Sequence, residues 1–307
     1  MKLSGSHNRI KFSWDARGNW SIERRSSTRS QQVLSPPEYN DFLLTHSIHS
    51  GLHDRLEVVL VSPRNPLNIG AAARAMANFG FSQLAVVAPY APHWREARSA
   101  VGAPELLASA AETQTLAEAA SSCTLMVGTG TLTYRKPEQP VVALPDLAPI
   151  VQRELAHGGR VALVFGPEKH GLTREDLSLC HLLVEIPTDP QQPSMNLGQA
   201  VAVSLYELAL HAFLPARATP DFSTAPAADH TGEQGPAAPS GDLELLARVV
   251  EETMLAAEYS PSSMQEANRH DFRLLLRRLA PTRRDTRRIL GLFRRILWRL
   301  NRLPKGD

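Results

Sequence analysis

Three short segments of the chain place polar side chains and glycines directly after apolar, strand-like runs. The first reads Asn65-Pro66-Leu67-Asn68-Ile69-Gly70 and is followed by Arg74 inside a helix of small residues. The guanidinium of an arginine stays protonated, so Arg74 can hold a phosphate or a hydroxyl by charge and hydrogen bonds. Taken alone, an Asn-Pro turn is an ordinary connector between a strand and a helix.

The second segment, Gly166-Pro167-Glu168-Lys169-His170-Gly171-Leu172-Thr173, follows the apolar run 161–165. A sharp loop of this kind can bring backbone N–H groups close to a ligand at the end of a strand. It is equally compatible with a plain connector in which Thr173 caps the next helix and Asp176 completes a capping box.

The third segment runs from Ile186 through a proline-bounded loop to Pro193-Ser194-Met195-Asn196-Leu197, where a helix of small residues begins. In isolation, Ser194 is best explained as the helix N-cap. Asn196 is then a polar residue of the first turn with no further role.

Short apolar runs that alternate with helical patterns predict an α/β domain with a largely parallel sheet. The expected strands are 56–61, 83–87, 125–128, 161–165 and 182–186. The expected helices are 71–79, 103–108, 116–120, 145–157, 173–179 and 196–213, followed by 242–259, 268–279 and 282–300.

Composition divides the chain of 307 residues into four parts. Residues 1–54 lack a sustained apolar period and predict a poorly ordered extension, whereas 55–214 carry the α/β pattern. Residues 215–241 are rich in proline and alanine and predict a linker, and 242–307 predict a helical extension. No apolar run is long enough for a membrane span and no secretory signal is evident, so the expected location is cytoplasmic. Cys123 and Cys180 lack metal-ligand spacing and are expected to be buried small hydrophobes.

The C-terminal extension is strongly basic. Between Arg269 and Arg302 there are twelve arginines and two acidic residues, Asp271 and Asp285. This excess fits contacts with phosphates, since guanidinium groups bind phosphate in a bidentate manner. The alternative is a set of amphipathic helices that leave their arginines in water. The spacing of Phe293 and Trp298 among leucine and isoleucine predicts that both anchor a core.

Together, the three segments resemble the motifs of the SpoU branch of the SPOUT superfamily of RNA 2′-O-methyltransferases, with TrmJ-type tRNA enzymes as the nearest likeness. The resemblance covers about 56–214. It rests on Asn65 to Gly70 with Arg74, on Val164-Phe165-Gly166-Pro167-Glu168 with Gly171-Leu172-Thr173, and on Pro193 to Leu197 with Ala200-Val201. Each motif alone is weak evidence, but three in this order are specific.

The resemblance implies a SPOUT-type α/β fold, a parallel sheet whose C-terminal part forms a trefoil knot, followed here by the small helical extension. It also implies S-adenosylmethionine as cofactor, bound at loops that follow strand ends. The residues implied to contact the cofactor are Thr129, Gly130, Thr131, Gly166, Ile186, Pro193, Ser194 and Met195.

The implied reaction transfers a methyl group to a ribose 2′-hydroxyl. The implied catalytic residues are Arg74, Asn68, Ser194, Asn196 and Glu168. We expect Arg74 to position phosphate and hydroxyl rather than act as a simple general base, because arginine seldom loses its proton. Asn68 and Asn196 are expected to fix the loop and the arginine, and Glu168 to orient Arg74 or its own loop. No metal is required, since positioning of a reactive sulfonium can supply much of the acceleration.

By resemblance the substrate is RNA, with the ribose of nucleotide 32 in the tRNA anticodon loop as the leading expectation, at cytidine or uridine. A homodimer is also implied, in which Arg74 of one subunit completes the site of the other. Methylation of another tRNA or rRNA site and a non-catalytic RNA-binding SPOUT protein remain alternatives. A nucleotide enzyme is disfavoured, because neither GxxxxGK[ST] nor GxGxxG follows a strand.

Overall fold

The computed structural model describes residues 10–14, 20–24, 50–130, 137–213, 236–259 and 261–302. The chain divides into two compact units, Met1–His49 and Ser50–Asp307. In the first, strands β1 (Ile10–Trp14) and β2 (Trp20–Arg24) pair as an antiparallel hairpin, inside the segment predicted to be poorly ordered. Each strand alternates apolar and polar residues over only five positions, a pattern too short to stand out in the sequence. Thr131 and most of the predicted linker lie outside the described residues.

The second unit holds the predicted α/β elements and three further helices. Its strands are β3 (Leu56–Val61), β4 (Gln83–Val87), β5 (Ala111–Thr113), β6 (Leu125–Thr129), β7 (Val141–Ala143), β8 (Val161–Phe165) and β9 (Leu182–Glu185). Its helices are α1 (Ser50–Arg55), α2 (Pro66–Asn78), α3 (Pro104–Ser109), α4 (Leu116–Ala119), α5 (Leu147–Ala156), α6 (Arg174–Ser178), α7 (Leu197–Phe213), α8 (Ser240–Ala256), α9 (Gln265–Leu279) and α10 (Arg283–Leu300). None of the helices in the described ranges is both long and apolar enough to cross a membrane.

The seven strands form one parallel sheet in the order β5-β4-β3-β8-β6-β9-β7. All five predicted strands are present. The sequence did not predict β5 and β7, which are three residues long, lie at the two edges and contain no buried residue. An edge strand of this length carries too little apolar pattern to be recognised.

Side chains of the central strands alternate between two cores, so the sheet is covered on both faces. Val58 and Leu60 of β3 face a core shared with α2, α5 and α7. Val59 and Val61 face the opposite core, together with residues of α4 and the loop before α6. A strand buried on both faces reads as a continuous apolar run, which is why β3 and β8 are so evident in the sequence.

Strand β9 follows β6 and β7 in the chain but lies between them in the sheet. Its position is therefore the one spanned by the earlier connection from β6 to β7. This order is compatible with the trefoil knot that the resemblance implies, and the threading itself stays a prediction.

The helices α8, α9 and α10 pack around a small core of their own and dock against the sheet domain. The first turn of α8 donates backbone hydrogen bonds from Ser240 to Cys123 (2.8 Å) and from Gly241 to Ser121 (3.0 Å). Phe293 packs against the small core as predicted, whereas Trp298 is 41% exposed and anchors no core. The prediction for Trp298 was wrong because the last buried residue of α10 is Leu290, so the end of the helix extends beyond the docked surface.

Candidate active site

The three motif segments converge at one edge of the sheet. Strands β3, β8, β6 and β9 are consecutive neighbours and parallel, so the loops after them lie side by side. In open α/β sheets this carboxyl edge is where ligands bind. The first motif follows β3, the second follows β8 and the third follows β9, so the strand order alone brings them together.

Glu168 of the second motif binds the first motif through three hydrogen bonds. Its carboxylate accepts from the Asn68 side-chain amide (2.8 Å) and from the backbone N–H groups of Arg64 (3.2 Å) and Asn65 (3.3 Å). Two loops that are about a hundred residues apart in sequence are thereby held in one arrangement. We expected Glu168 to orient Arg74 or its own loop; in the structure it orients the loop of the first motif.

The surroundings of Glu168 keep it ionised. Its partial burial alone would raise the pKa, but hydrogen bonds from Asn68, its own N–H, Arg64 and Asn65 outweigh burial and hold the pKa of Glu168 below its ordinary value. A carboxylate that accepts several N–H bonds is a strong, charge-assisted acceptor. Glu168 is therefore a fixed negative group at the site rather than a proton donor near neutral pH.

Asn196 of the third motif extends this network. Its amide nitrogen donates to the Asn68 side-chain oxygen (3.0 Å), while its own oxygen accepts from the N–H of Gly198 (2.9 Å). Asn196 is thus the N-cap of α7, and the prediction that Ser194 caps this helix was wrong. A helix capped by Ser194 would begin at Met195, but α7 begins at Leu197, so its orphan N–H groups face Asn196. Ser194 is exposed and lies outside the hydrogen-bond network.

The cap of α2 was missed by sequence reasoning. The side chain of Asn65 accepts from the Leu67 N–H (3.0 Å), and Pro66 follows as the first helical residue. Asparagine followed by proline at a helix start is the local signal that would have identified this cap. The backbone N–H groups of Arg64 and Asn65, which bind Glu168, carry no such signal.

Arg74 points away from this network. It lies six residues after Asn68 on α2, which places it about 9 Å along the helix and about 120° around it. The residue is exposed and forms no hydrogen bond or ion pair with any residue in the described ranges. The expectation that Asn68 and Asn196 fix Arg74 is therefore not met within one subunit. Its guanidinium is left available to an external anion.

The loop of the second motif is tightly constrained. A Cβ on Gly166 would lie 2.3 Å from the backbone carbon of Gly171 and 2.3 Å from the nitrogen of Leu172, so only glycine fits. Gly171 has a φ of 64°, a left-handed conformation that glycine adopts readily. At the end of the loop, Thr173 and Asp176 form the predicted capping box. The two interpretations of this segment are compatible, since the helix cap and the tight loop occur together.

The residues implied to bind the cofactor line the loops around β6 and β9. Thr129 is buried and donates to the Val164 carbonyl (2.9 Å), and Gly130 donates to the Val184 carbonyl (3.3 Å). A Cβ built on Gly130 meets no atom of the described residues within 4 Å, so none of these residues fills the space beside it. Four further residues implied to bind the cofactor are half-buried. Gly166 lies in the loop after β8, and Ile186, Pro193 and Met195 lie in the loop after β9.

Neither cysteine is suited to nucleophilic chemistry. Cys123 and Cys180 are both free and buried, as predicted. Burial raises the pKa of each thiol to about 12, so both stay protonated at neutral pH. Within the described ranges, no group of three or more histidine, cysteine, aspartate or glutamate side chains is arranged to hold a metal ion.

The fold and the site define an α/β protein of the parallel, ligand-binding class, with three polar loops joined at the carboxyl edge of its sheet. Residues 55–206 match the SpoU rRNA Methylase family. The chain is 32% identical over 256 residues to the tRNA (cytidine/uridine-2′-O-)-methyltransferase TrmJ of Salmonella typhimurium, covering 82% of this chain and 98% of the relative. This protein therefore belongs to the SpoU methylase family.

Two further comparisons agree with this assignment. The chain is 44% identical over 168 residues to the tRNA (cytidine/uridine/adenosine-2′-O-)-methyltransferase TrmJ of Pseudomonas aeruginosa, covering 54% of this chain and 65% of that relative. It thus spans slightly less than two thirds of the length of that protein. The crystal structure of TrmJ from Z. mobilis ZM4 superposes with a TM-score of 0.64 at 28% identity, covering 78% of this chain and 98% of the other.

Proposed function

We propose that this protein transfers the methyl group of S-adenosylmethionine to a ribose 2′-hydroxyl of tRNA, at nucleotide 32 and with cytidine or uridine as the base. The observation that carries the proposal is the hydrogen-bonded chain from Glu168 through Asn68 to Asn196, which joins the three methylase motifs into one site. The tRNA 2′-O-methyltransferase names of the relatives support the substrate class. A tRNA substrate also implies that the enzyme works in the cytoplasm.

The residues around the predicted cofactor site fit S-adenosylmethionine. None of the described residues fills the space beside Gly130 at the end of β6, and the half-buried Ile186 and Met195 supply apolar surface for a ligand. Thr129 holds its strand end in place through its bond to Val164. The cofactor, when bound, supplies an electrophilic methyl group on a sulfonium. The protein then has to position the acceptor and exclude water, without need of a metal.

Arg74 acts on the acceptor side of this site. As an exposed guanidinium without a partner among the described residues, it binds a phosphate next to the target ribose and orients the 2′-hydroxyl for attack in line with the methyl group. The new O–C bond would form as the bond between the methyl carbon and the cofactor sulfur breaks, leaving S-adenosylhomocysteine, and the hydroxyl proton would leave to an RNA phosphate or to water. Asn68, Asn196 and Glu168 hold the surrounding loops, so these three act by positioning, whereas Ser194 is an exposed residue of the third motif.

We also propose that two copies of the chain assemble into a homodimer through α2 and α7. The two helices approach closely within one subunit, where a Cβ on Gly198 would lie 2.7 Å from that of Ala71. Their outer faces carry large apolar side chains in water: Leu67 is 54% exposed, Val203 39% and Tyr206 51%. Arg74 lies on the same exposed side of α2 as Leu67, seven residues away. A partner packed on this stripe would receive Arg74 at its own cofactor loops.

The proposal is tested by incubating purified protein with tRNA transcripts and S-adenosylmethionine, followed by mapping of 2′-O-methylated riboses by mass spectrometry. Methylation at nucleotide 32 supports the proposal in full. Methylation at another position supports the reaction but assigns it to a different nucleotide. If the folded protein fails to bind S-adenosylmethionine at millimolar concentration in calorimetry, the enzymatic function is rejected in favour of a non-catalytic RNA-binding protein.

A further inference from the structure

The arginines of the C-terminal extension fall into two groups according to what they contact. Of the four arginines of α9, Arg269, Arg273 and Arg277 form ion pairs, whereas Arg278 is exposed and forms none with a described residue. Arg273 binds Glu244 of α8 (2.9 Å) and approaches Glu175 of α6 (3.4 Å), and Arg277, only 4% exposed, binds Glu244 as well (3.0 Å). These contacts join α9 to α8 and to the helix that follows the second motif. Arg273 and Arg277 therefore hold α9 on α8, and Arg273 also ties the extension to the sheet domain.

Among the described residues, the only arginine of α10 that approaches an acidic partner is Arg283 in the first turn, which lies 3.8 Å from Asp242 of α8. Asp285, the acidic residue of this helix, is occupied by the Thr282 cap at its N-terminus. Within the described ranges, none of the exposed arginines beyond the first turn forms an ion pair. They are Arg287, Arg288, Arg294, Arg295, Arg299 and Arg302. Unpaired like charges on one helix repel one another, so this surface gains most from an anionic ligand.

Trp298 organises two of these arginines. The guanidinium carbon of Arg295 lies 4.3 Å from the centre of the indole ring, and that of Arg302 lies 4.1 Å from it. Arg295 lies three positions before Trp298 and Arg302 four positions after it, so the three side chains form one row along the helix. A cation held over an indole face loses less side-chain freedom when it binds a ligand.

We propose that Arg295, Trp298 and Arg302 form a preorganised clamp for the phosphate backbone of RNA. The proposal rests on the function proposed above, since it assigns part of the RNA contact to residues outside the three motifs. Trp298 holds the two guanidinium groups in place, and each guanidinium donates hydrogen bonds to phosphate oxygens. The neighbouring free arginines of α10 add long-range attraction without a fixed geometry.

The exposed apolar residues of α10 do not change this assignment. Leu292 and Ile296 are partly in water, so a second protein copy is the competing occupant of this face. Two positively charged copies of α10 would repel each other, however, because each carries eight arginines from Arg283 to Arg302 against one acidic residue. A polyanion relieves this repulsion, and RNA is the polyanion that the family handles.

The clamp is tested by filter binding of a tRNA transcript across a series of salt concentrations. The double variant Arg295→Gln/Arg302→Gln should bind about tenfold more weakly, with a salt slope smaller by about 2, since two phosphate contacts are lost. Trp298→Leu keeps both charges, so the slope should be retained while affinity falls about twofold to fivefold. The matched control is Arg153→Gln, an exposed arginine in the last turn of α5 outside the C-terminal extension, which should leave affinity and slope unchanged.

Wild-type affinity and slope in the double variant, or wild-type affinity in Trp298→Leu, would overturn the clamp. A changed sedimentation coefficient of either RNA-free variant would overturn it too, by assigning this face to a second copy. Methyl transfer by the wild type is measured in parallel. Only the clamp fails if the wild type methylates tRNA and the variants still bind tRNA normally. If the variants lose tRNA binding and the wild type transfers no methyl group to any tRNA, the proposed function fails and the clamp stands.

Discussion

Replacement of Asn196 by aspartate separates the helix-capping role of this residue from its role in the motif network. An aspartate caps a helix about as well as asparagine does, so α7 keeps its N-terminal hydrogen bonds. The bond to Asn68 is lost, because the aspartate has no amide to donate across the 3.0 Å gap. In the wild type the side-chain nitrogen of Asn68 lies 2.8 Å from the Glu168 carboxylate. Asn68 cannot compensate by a flip of its amide, because the flip would place its side-chain oxygen against that carboxylate.

The structure predicts a small effect of this change on stability and a large one on catalysis. The lost hydrogen bond is exposed, so water replaces it and the free energy of unfolding falls by about 1 kcal/mol. Loss of alignment between the loops is expected to reduce kcat by roughly 100-fold, as for other displacements of about 1 Å near a reacting group. Urea unfolding and single-turnover methyl transfer to tRNA measure the two quantities.

The control for this experiment is Asn196→Ser. A serine also caps the helix but places no negative charge beside Asn68, so its kcat should lie between those of Asn196→Asp and the wild type. If Asn196→Asp turned over at the wild-type rate, the hydrogen-bonded chain would be a structural detail without a part in the reaction, and the reasoning would be refuted.

Three further predictions concern packing, charge and pH. Gly166→Ala should unfold the second motif loop, lower the melting temperature and abolish cofactor binding. Gly130→Val should leave the melting temperature unchanged and weaken S-adenosylmethionine binding in calorimetry. Equal melting temperatures for the two variants would contradict the packing argument. Glu244→Gln should lower the free energy of unfolding by about 3 kcal/mol, because it leaves the buried Arg277 without an acidic partner, and a loss well under 1 kcal/mol in urea unfolding would oppose this. The carboxylate of Glu168 has a pKa held below its ordinary 4.5, so its stabilising bonds are complete above pH 4.5 and are lost as the pH falls through the depressed pKa. The difference in unfolding free energy between wild type and Glu168→Gln should therefore shrink only below pH 4.5. A difference that declines already at higher pH would exclude a depressed pKa for Glu168.

The sheet was predictable because its central strands are buried on both faces. Runs such as Leu56–Val61 and Val161–Phe165 are uninterrupted by solvent-facing residues, and their ends coincide with turn residues. The short edge strands Ala111–Thr113 and Val141–Ala143 carry no comparable signal, since both are exposed and three residues long. Pairing with a neighbouring strand, rather than local composition, makes them strands.

The candidate site was predictable as a set of residues but not as a set of contacts. The motifs drew attention to Asn68, Glu168 and Asn196, which the structure joins by hydrogen bonds. The partners of Glu168 include two backbone N–H groups about a hundred residues away, which no side-chain pattern reveals. The division of the arginines likewise depends on Glu244, an ordinary helical residue in the sequence that the fold places beside α9.

The most direct test of the central claim compares the wild type with Arg74→Ala in a single reaction. Each protein is incubated with tRNA and isotopically labelled S-adenosylmethionine, and the methylated ribose is located by mass spectrometry while calorimetry records cofactor binding. We predict one 2′-O-methyl group at nucleotide 32 with the wild type, and none with Arg74→Ala despite unchanged cofactor affinity. Equal turnover by the two proteins, or a cofactor-bound wild type that methylates no tRNA, would contradict the account.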